Sequence, residues 1–104
     1  PFGVSLLIAG VDSKPRLFEA EPSGAMTGYL ADSVGSGKKE VDEYLEKNYK
    51  ESITVEDAIE LGISALKKAV DAKLSPENVD ISYIEVKTKK SVAVSDKDVA
   101  KYLK

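Results

Sequence analysis

An apolar run opens the chain. Between Phe2 and Val11 both alternating sets of positions are apolar: Phe2, Val4, Leu6 and Ile8 on one, Leu7, Ala9 and Val11 on the other. A run rich in branched residues and apolar on both sides predicts a strand covered on both faces, as inside a layered sheet. Asp12-Ser13-Lys14-Pro15 is turn chemistry,. Arg16 to Glu21 predicts a second strand, short and half polar. Glu21-Pro22-Ser23-Gly24 has proline second and glycine fourth, as a type I turn favours,. Met26 to Val34 predicts a third strand, and three strands joined by short turns predict an antiparallel meander.

The period then changes. Gly35-Ser36-Gly37 interrupts the pattern, and Ser36 is a candidate helix cap,. Val41, Tyr44, Leu45 and Tyr49 follow at helical spacing on one face. A second helix is predicted behind Thr54, an N-cap with Asp57 three residues on, close to a capping box,. Its stripe is Val55, Ala58, Ile59, Gly62, Ile63, Leu66, Ala69 and Val70, ending at Lys73-Leu74-Ser75-Pro76,. The two helices, with a short link, are expected to pack as an antiparallel pair. Val79 to Val86 predicts a strand, Lys87-Thr88-Lys89-Lys90 its hairpin turn, and Ser91 to Val94 the partner strand. Ser95-Asp96-Lys97-Asp98 caps a last helix with Val99, Tyr102 and Leu103 inward. The predicted order is β-β-β-α-α-β-β-α. Clustered strands and clustered helices place the chain in the α+β class, with helices layered on antiparallel sheet.

Composition narrows the chemistry. The 104 residues suit a single domain and are 42% apolar and 32% charged,. Cysteine is absent, which excludes disulfides, Cys–zinc sites and thiol catalysis from this sequence,. Histidine is absent, which removes the usual general base, the commonest metal ligand and every His-dependent triad,. A net charge of −3 gives no domain-wide basic footprint for nucleic acid,. No apolar run approaches the roughly 18 residues of a membrane span. The Phe2–Val11 run lacks the basic leader and small-residue cleavage site of a signal peptide,.

Few residues invite a catalytic assignment. Gly35-Ser36-Gly37-Lys38, between a predicted strand and a helix, has the setting of an anion-binding loop,. The spacing is wrong. A Walker loop needs glycine where Asp32 stands and Ser or Thr where Lys39 stands, and a dinucleotide fingerprint needs glycine at Glu40,. A helix N-cap turn is the expected reading. Pro1 offers a secondary amine that could act as a base, and small tautomerases begin with proline. Those proteins are built from a repeated β-α-β, which this chain lacks, and its single arginine, Arg16, is a poor anchor for an acidic substrate. Pro1 is therefore expected to mark the interruption of a longer chain. Lys67-Lys68 and Lys89-Lys90 are expected to be solvated, and Asp42-Glu43 and Glu56-Asp57 to sit on exposed helix faces or first turns,. Tyr44, Tyr49, Tyr83 and Tyr102 fall on apolar stripes and are expected in the core. Gly62 is expected to let its helix lie close to a sheet or to its neighbour. No catalytic, cofactor-binding or metal residue is assigned, and no cofactor.

Taken together, the segments resemble the C-terminal half of an archaeal-type proteasome alpha subunit. Phe2-Gly3-Val4-Ser5-Leu6-Leu7-Ile8-Ala9-Gly10 resembles that family's central strand. Pro15-Arg16-Leu17-Phe18-Glu19 and Glu21-Pro22-Ser23-Gly24 resemble its hairpin. Ala31-Asp32-Ser33-Val34-Gly35-Ser36-Gly37-Lys38 resembles its Ala-x-Ala-Ile-Gly-Ser-Gly-Lys strand-to-helix passage. The stretches Tyr44 to Glu51, Asp57 to Leu66 and Val99 to Leu103 also match, so the likeness covers essentially the whole chain.

The resemblance implies part of a four-layer αββα sandwich of the N-terminal-nucleophile type. It implies a non-catalytic, structural subunit in a seven-membered outer ring of the 20S core particle, acting in ATP-dependent, compartmentalised protein degradation in the cytoplasm. Implied partners are other alpha subunits, the beta subunits that carry the nucleophilic threonine, and a regulatory ATPase docked through residues outside this sequence. Neither nucleic acid nor membrane is an expected partner. Half a sandwich should expose strand edges and an apolar face, so the chain is expected to pair with its missing half or with itself. The alternative carried from the residues alone is a small Pro1-dependent, tautomerase-like enzyme.

Overall fold

The computed structural model describes residues 5–104. Pro1 and the first residues of the predicted opening strand lie outside them. The elements in chain order are β1 (Leu6–Val11), β2 (Pro15–Ala20), β3 (Met26–Gly28), α1 (Lys38–Asn48), α2 (Val55–Leu66), β4 (Ser82–Ile84), β5 (Ser91–Ala93) and α3 (Asp96–Tyr102). The class is α+β, with three helices, one antiparallel three-stranded sheet ordered β1-β2-β3 and a β4–β5 hairpin.

The meander forms with β2 in the middle. Leu6 faces Ala20 and Val11 faces Pro15 across one ladder, and Phe18 faces Gly28 across the other. The Glu21–Gly24 turn closes as expected, with the Gly24 N–H donating to the Glu21 carbonyl at 2.9 Å. The third strand is far shorter than the predicted Met26–Val34. The Tyr29 N–H still donates to the Leu17 carbonyl at 2.9 Å. Beyond it the chain leaves the sheet, because Asp32 and Ser33 are held by Lys38 at the start of α1.

β1 is a strand, but the expected cover on both faces is absent. Leu6 is 56% exposed and Ile8 47%, and Leu7 on the opposite face is exposed as well. β1 is also an edge strand, so one row of its backbone groups has no ladder,. The sequence pattern belongs to an interior strand, and nothing among the described residues supplies the second layer.

The helices pack through small contacts. Val41 and Leu45 of α1 are buried against Ala65 of α2. Ala65 is only 2% exposed, and its short side chain lets the two helices approach. The α1 cap is Gly37 with φ 78°, not Ser36, and no side chain caps it. Thr54 caps α2 as predicted, its hydroxyl accepting the Asp57 N–H at 3.1 Å,. Ser95 does the same for α3 with the Asp98 N–H at 3.3 Å. α3 packs on α2, and its Val99 is 1% exposed.

The long stripe of the second helix is cut short. Ile59 and Ile63 are buried, but α2 ends at Leu66, and Leu66 and Val70 are exposed. The reason is a tightened last turn. The Lys68 N–H bonds to the Ala65 carbonyl and the Ala69 N–H to the Leu66 carbonyl, both at 3.0 Å and three residues back. Such bonds rotate the following side chains off the 3.6-residue stripe. β4 and β5 are likewise shorter than predicted, three residues each, with Tyr83 facing Val92. Tyr44, Tyr49, Tyr83 and Tyr102 are half-buried rather than in the core.

Gly62 departs from its expectation. A Cβ built there meets no atom within 4 Å, so no neighbour lies close against it. Gly62→Ala should therefore stabilise the chain, by up to about 1 kcal/mol, because alanine removes the helix penalty of glycine without a clash. A rise in the denaturant midpoint at unchanged slope is the expected reading; a fall would show a close contact at this position.

Candidate functional site

The strand-to-helix passage that attracted the phosphate reading builds a different site. Gly35 and Gly37 adopt positive φ, 109° and 78°. Those two turns fold the 31–37 segment back so that Lys38, the first residue of α1, reaches three carboxylates on three parts of the chain. Its Nζ donates to Glu19 Oε1 of β2 at 3.0 Å, to Asp32 Oδ1 of the connecting loop at 2.9 Å and to the Ser33 carbonyl at 2.6 Å. Asp42, one turn along α1, places Oδ2 2.9 Å away. Ser33 Oγ donates to the other Asp42 oxygen at 2.6 Å and steadies that carboxylate.

Burial is graded across this clasp. The Asp32 side chain is 3% exposed and that of Glu19 9%, whereas those of Asp42 and Lys38 are 36% and 40% exposed. Burial pushes the Asp32 carboxyl up. The Glu19 carboxyl, the Lys38 ammonium and the Ser33 N–H outweigh it and hold Asp32 below the usual carboxylate range,. Burial pushes Lys38 down, and its bonds to Asp32, Asp42 and Glu19 outweigh that and hold the ammonium above its ordinary range. Lys38 therefore stays charged and committed. Its ammonium fills the space between the acids, and no group of three acids among the described residues is placed to hold a metal ion. An anion would meet carboxylates here, which closes the phosphate reading of Gly35–Lys38.

The other sequence candidates are scattered. Pro1 lies outside the described residues. Arg16 is engaged by Asp12, Nε to Oδ2 at 2.9 Å, and that bond is the main reason the Asp12 carboxyl lies below its usual range. Lys67, Lys68, Lys89 and Lys90 are exposed as expected, with the Lys68 ammonium 5.2 Å from the centre of the Tyr44 ring,. Glu56 and Asp57 occupy the exposed first turn of α2. Asp42 differs from its expectation, because Lys38 and Ser33 draw it into the clasp. The sequence carried one signal for this, the four-residue spacing of Lys38 and Asp42. Glu19, nineteen residues from Lys38, carried none.

Beside the clasp lies an open trough of about 710 Å³. Leu7, Leu17 and Leu30 line one side and Ile59 and Ile63 the other, with Asp32 and Ser33 in its wall. Leu30 is 67% exposed. The lining is mostly apolar, with Asp80, Ser82, Tyr49 and Tyr83 adding polar groups, and holds no nucleophile–base pair.

The sequence profile of the family described as "Proteasome subunit" matches residues 1–84. The chain is 41% identical over 103 residues to "Proteasome subunit alpha" of Archaeoglobus fulgidus, a match covering 99% of this chain and 42% of the relative. It is 53% identical over 88 residues to the protein of that name from Methanocaldococcus jannaschii, covering 84% and 33%. It is 43% identical over 103 residues to that of Pyrococcus horikoshii, covering 99% and 39%. The chain thus spans about two-fifths of the length of the first of these relatives, 42%.

Proposed function

The chain belongs to the proteasome subunit family, and from that premise we propose that it is part of a non-catalytic alpha subunit of the outer ring of the proteasome core particle. In this reading its strands belong to the two sheets of a four-layer αββα sandwich, completed by residues that the relatives have and this chain does not span. The assembled subunit contacts its ring neighbours, a beta ring and a regulatory ATPase, and serves ATP-dependent protein degradation in the cytoplasm. No helix among the described residues is long and apolar enough to cross a membrane.

The observation that carries this reading is the unfinished layer. β1 has the composition of an interior strand and stands exposed on both faces beside an open apolar trough. A chain that formed its whole sandwich would bury Leu6, Ile8 and Leu30. The identity to alpha subunits extends over nearly all of these residues, which supports the same placement.

The test joins this chain to the part of the A. fulgidus subunit outside the matched region, as one polypeptide. Ring-sized particles by sedimentation are expected, with no release of fluorogenic peptides until beta subunits are added. Peptide turnover by the joined subunit alone, or a monomer that never assembles, would overturn the proposal.

A further inference from the structure

The clasp has more acceptors than donors. An ammonium carries three N–H donors, and four oxygens lie within 3.0 Å of Lys38 Nζ: Glu19 Oε1, Asp32 Oδ1, Asp42 Oδ2 and the Ser33 carbonyl. The Ser33 hydroxyl is spent on Asp42 Oδ1 and the Ser33 N–H on Asp32. Asp32 Oδ2 is buried and has no donor among the described residues. Such an atom is rare in a native structure, and each instance calls for an explanation. Charge is short in the same direction. One cation serves three acids, and the side chains of Asp32 and Glu19 are 3% and 9% exposed. Nothing adjacent makes up the difference. Across the sheet Glu19 stands opposite Leu7 of β1 and Thr27 of β3, which carry no charge,. The trough lining beside Asp32 adds one further acid, Asp80, and no lysine or arginine.

We infer that Glu19 and Asp32 hold one proton between them, donated by the Glu19 carboxyl to Asp32 Oδ2, and that this proton makes the clasp a pH-sensitive latch tying β2 to the start of α1. Both acids bond the same ammonium, so their carboxyl groups are neighbours. Of two carboxyls sharing a site, one keeps its proton to higher pH. A carboxyl O–H supplies the donor that Asp32 Oδ2 lacks. It also brings the excess negative charge of the clasp from two to one, left on the half-solvated Asp42 side. The behaviour of Asp32 agrees. The neighbouring Glu19 carboxyl acts to hold it low, as a proton donor does and a second carboxylate does not. The linkage has a definite sign. The unfolded chain gives up its carboxyl protons at about pH 4, whereas the folded pair keeps one. Folding therefore takes up a proton above that pH, and the latch weakens as pH rises, until the pair is fully ionised and its carboxylates repel. The contact lies within this chain and does not depend on the sandwich reading.

The test uses the 104-residue chain. At neutral pH the carboxyl carbons of Glu19 and Asp32, followed by NMR, should together account for one bound proton. Both at the full carboxylate position would overturn the inference. Glu19→Gln puts an amide N–H where the acid O–H stood, so the bond to Asp32 Oδ2 survives. Its folding equilibrium constant at neutral pH should stay within about threefold of the unmodified chain's. One proton taken up on folding changes that constant by up to about tenfold per pH unit. The unmodified chain should lose stability on this account between mildly acid and mildly alkaline pH, and Glu19→Gln should not. Asp32→Asn removes the carboxylate that Lys38 and Glu19 both bond, and should lower the constant about tenfold or more. Asp42→Asn, on the solvated side, should leave the pH slope in place. A loss in Glu19→Gln as large as that in Asp32→Asn would overturn the inference, because both acids would then serve Lys38 as carboxylates. An equal pH slope in Glu19→Gln and the unmodified chain would overturn it as well, since the slope would arise elsewhere. If Glu19→Gln does not fold, the carboxyl shifts of the unmodified chain decide alone.

Discussion

Lys38→Met should destabilise the chain by about 2–3 kcal/mol at pH 7, measured as a fall in the denaturant midpoint. Methionine keeps most of the stem and removes the ammonium. Glu19 and Asp32, with side chains 9% and 3% exposed, would then face each other without a cation. Breaking a buried ion pair by removing one partner costs about 3–5 kcal/mol, and the figure is reduced here because Lys38 is itself 40% exposed and partly screened,. The pH dependence identifies the mechanism. In the unmodified chain Asp32 is held below its unfolded value, so its contribution is complete above that value, near pH 4, and is lost as pH falls through the lower folded value,. Without Lys38 the burial that pushes the Asp32 carboxyl up is less opposed, and lowering the pH should relieve the destabilisation,. The gap between the two proteins should therefore begin to narrow above about pH 4, as the variant takes up protons, and go on narrowing below it as the unmodified chain loses the Asp32 contribution,. A gap that is constant from pH 7 to pH 3 would mean that Lys38 acts only through its aliphatic stem.

Gly37→Ala should destabilise by about 2–5 kcal/mol, from two additive sources. The backbone at Gly37 has φ 78°, where an L side chain is strained by about 1–2 kcal/mol,. The new Cβ would also collide with the Cβ of Ala69 and lie 3.2 Å from its Cα, which is backbone and cannot swing aside. Overpacking of this kind costs about 1–3 kcal/mol. Gly35→Ala is the internal comparison. Its φ is 109°, but nothing lies within 4 Å of the added carbon, so only strain of about 1–2 kcal/mol applies,. Equal losses at the two positions would show that the approach of residue 69 to the α1 cap does not matter. The double variant Gly37→Ala with Ala69→Gly should recover the part of the collision due to the Ala69 Cβ and leave the strain and the Cα approach.

These two glycines show where reading the sequence succeeded and where it stopped. Gly35-Ser36-Gly37 was legible as an interruption between a strand and a helix, because such glycines relax the backbone locally. Which residue caps the helix was not legible. Serine is the better capping side chain in isolation, yet the left-handed turn at Gly37 and the close approach of Ala69 exclude any side chain at that position, and the cap falls there. The same division holds for the caps of α2 and α3. Thr54 and Ser95 satisfy an N–H three residues on, a contact set by neighbours in sequence alone.

What the chain determined by itself is local or periodic. The α+β class, the antiparallel meander, the start of α2 and the membership of its family all follow from spacings and motifs spanning a few residues to one turn. What the tertiary structure decided depends on partners distant in sequence. The third strand ends at Gly28 because Lys38 draws Asp32 and Ser33 out of the sheet. The acids at 19, 32 and 42 form one site because β2, a loop and a helix N-terminus converge on one ammonium, and no period in the sequence encodes that convergence. Leu6, Leu7 and Ile8 mark the opposite limit. Their pattern specifies a strand with both faces covered, but burial needs a second surface, and sequence pattern states the requirement without supplying the partner,.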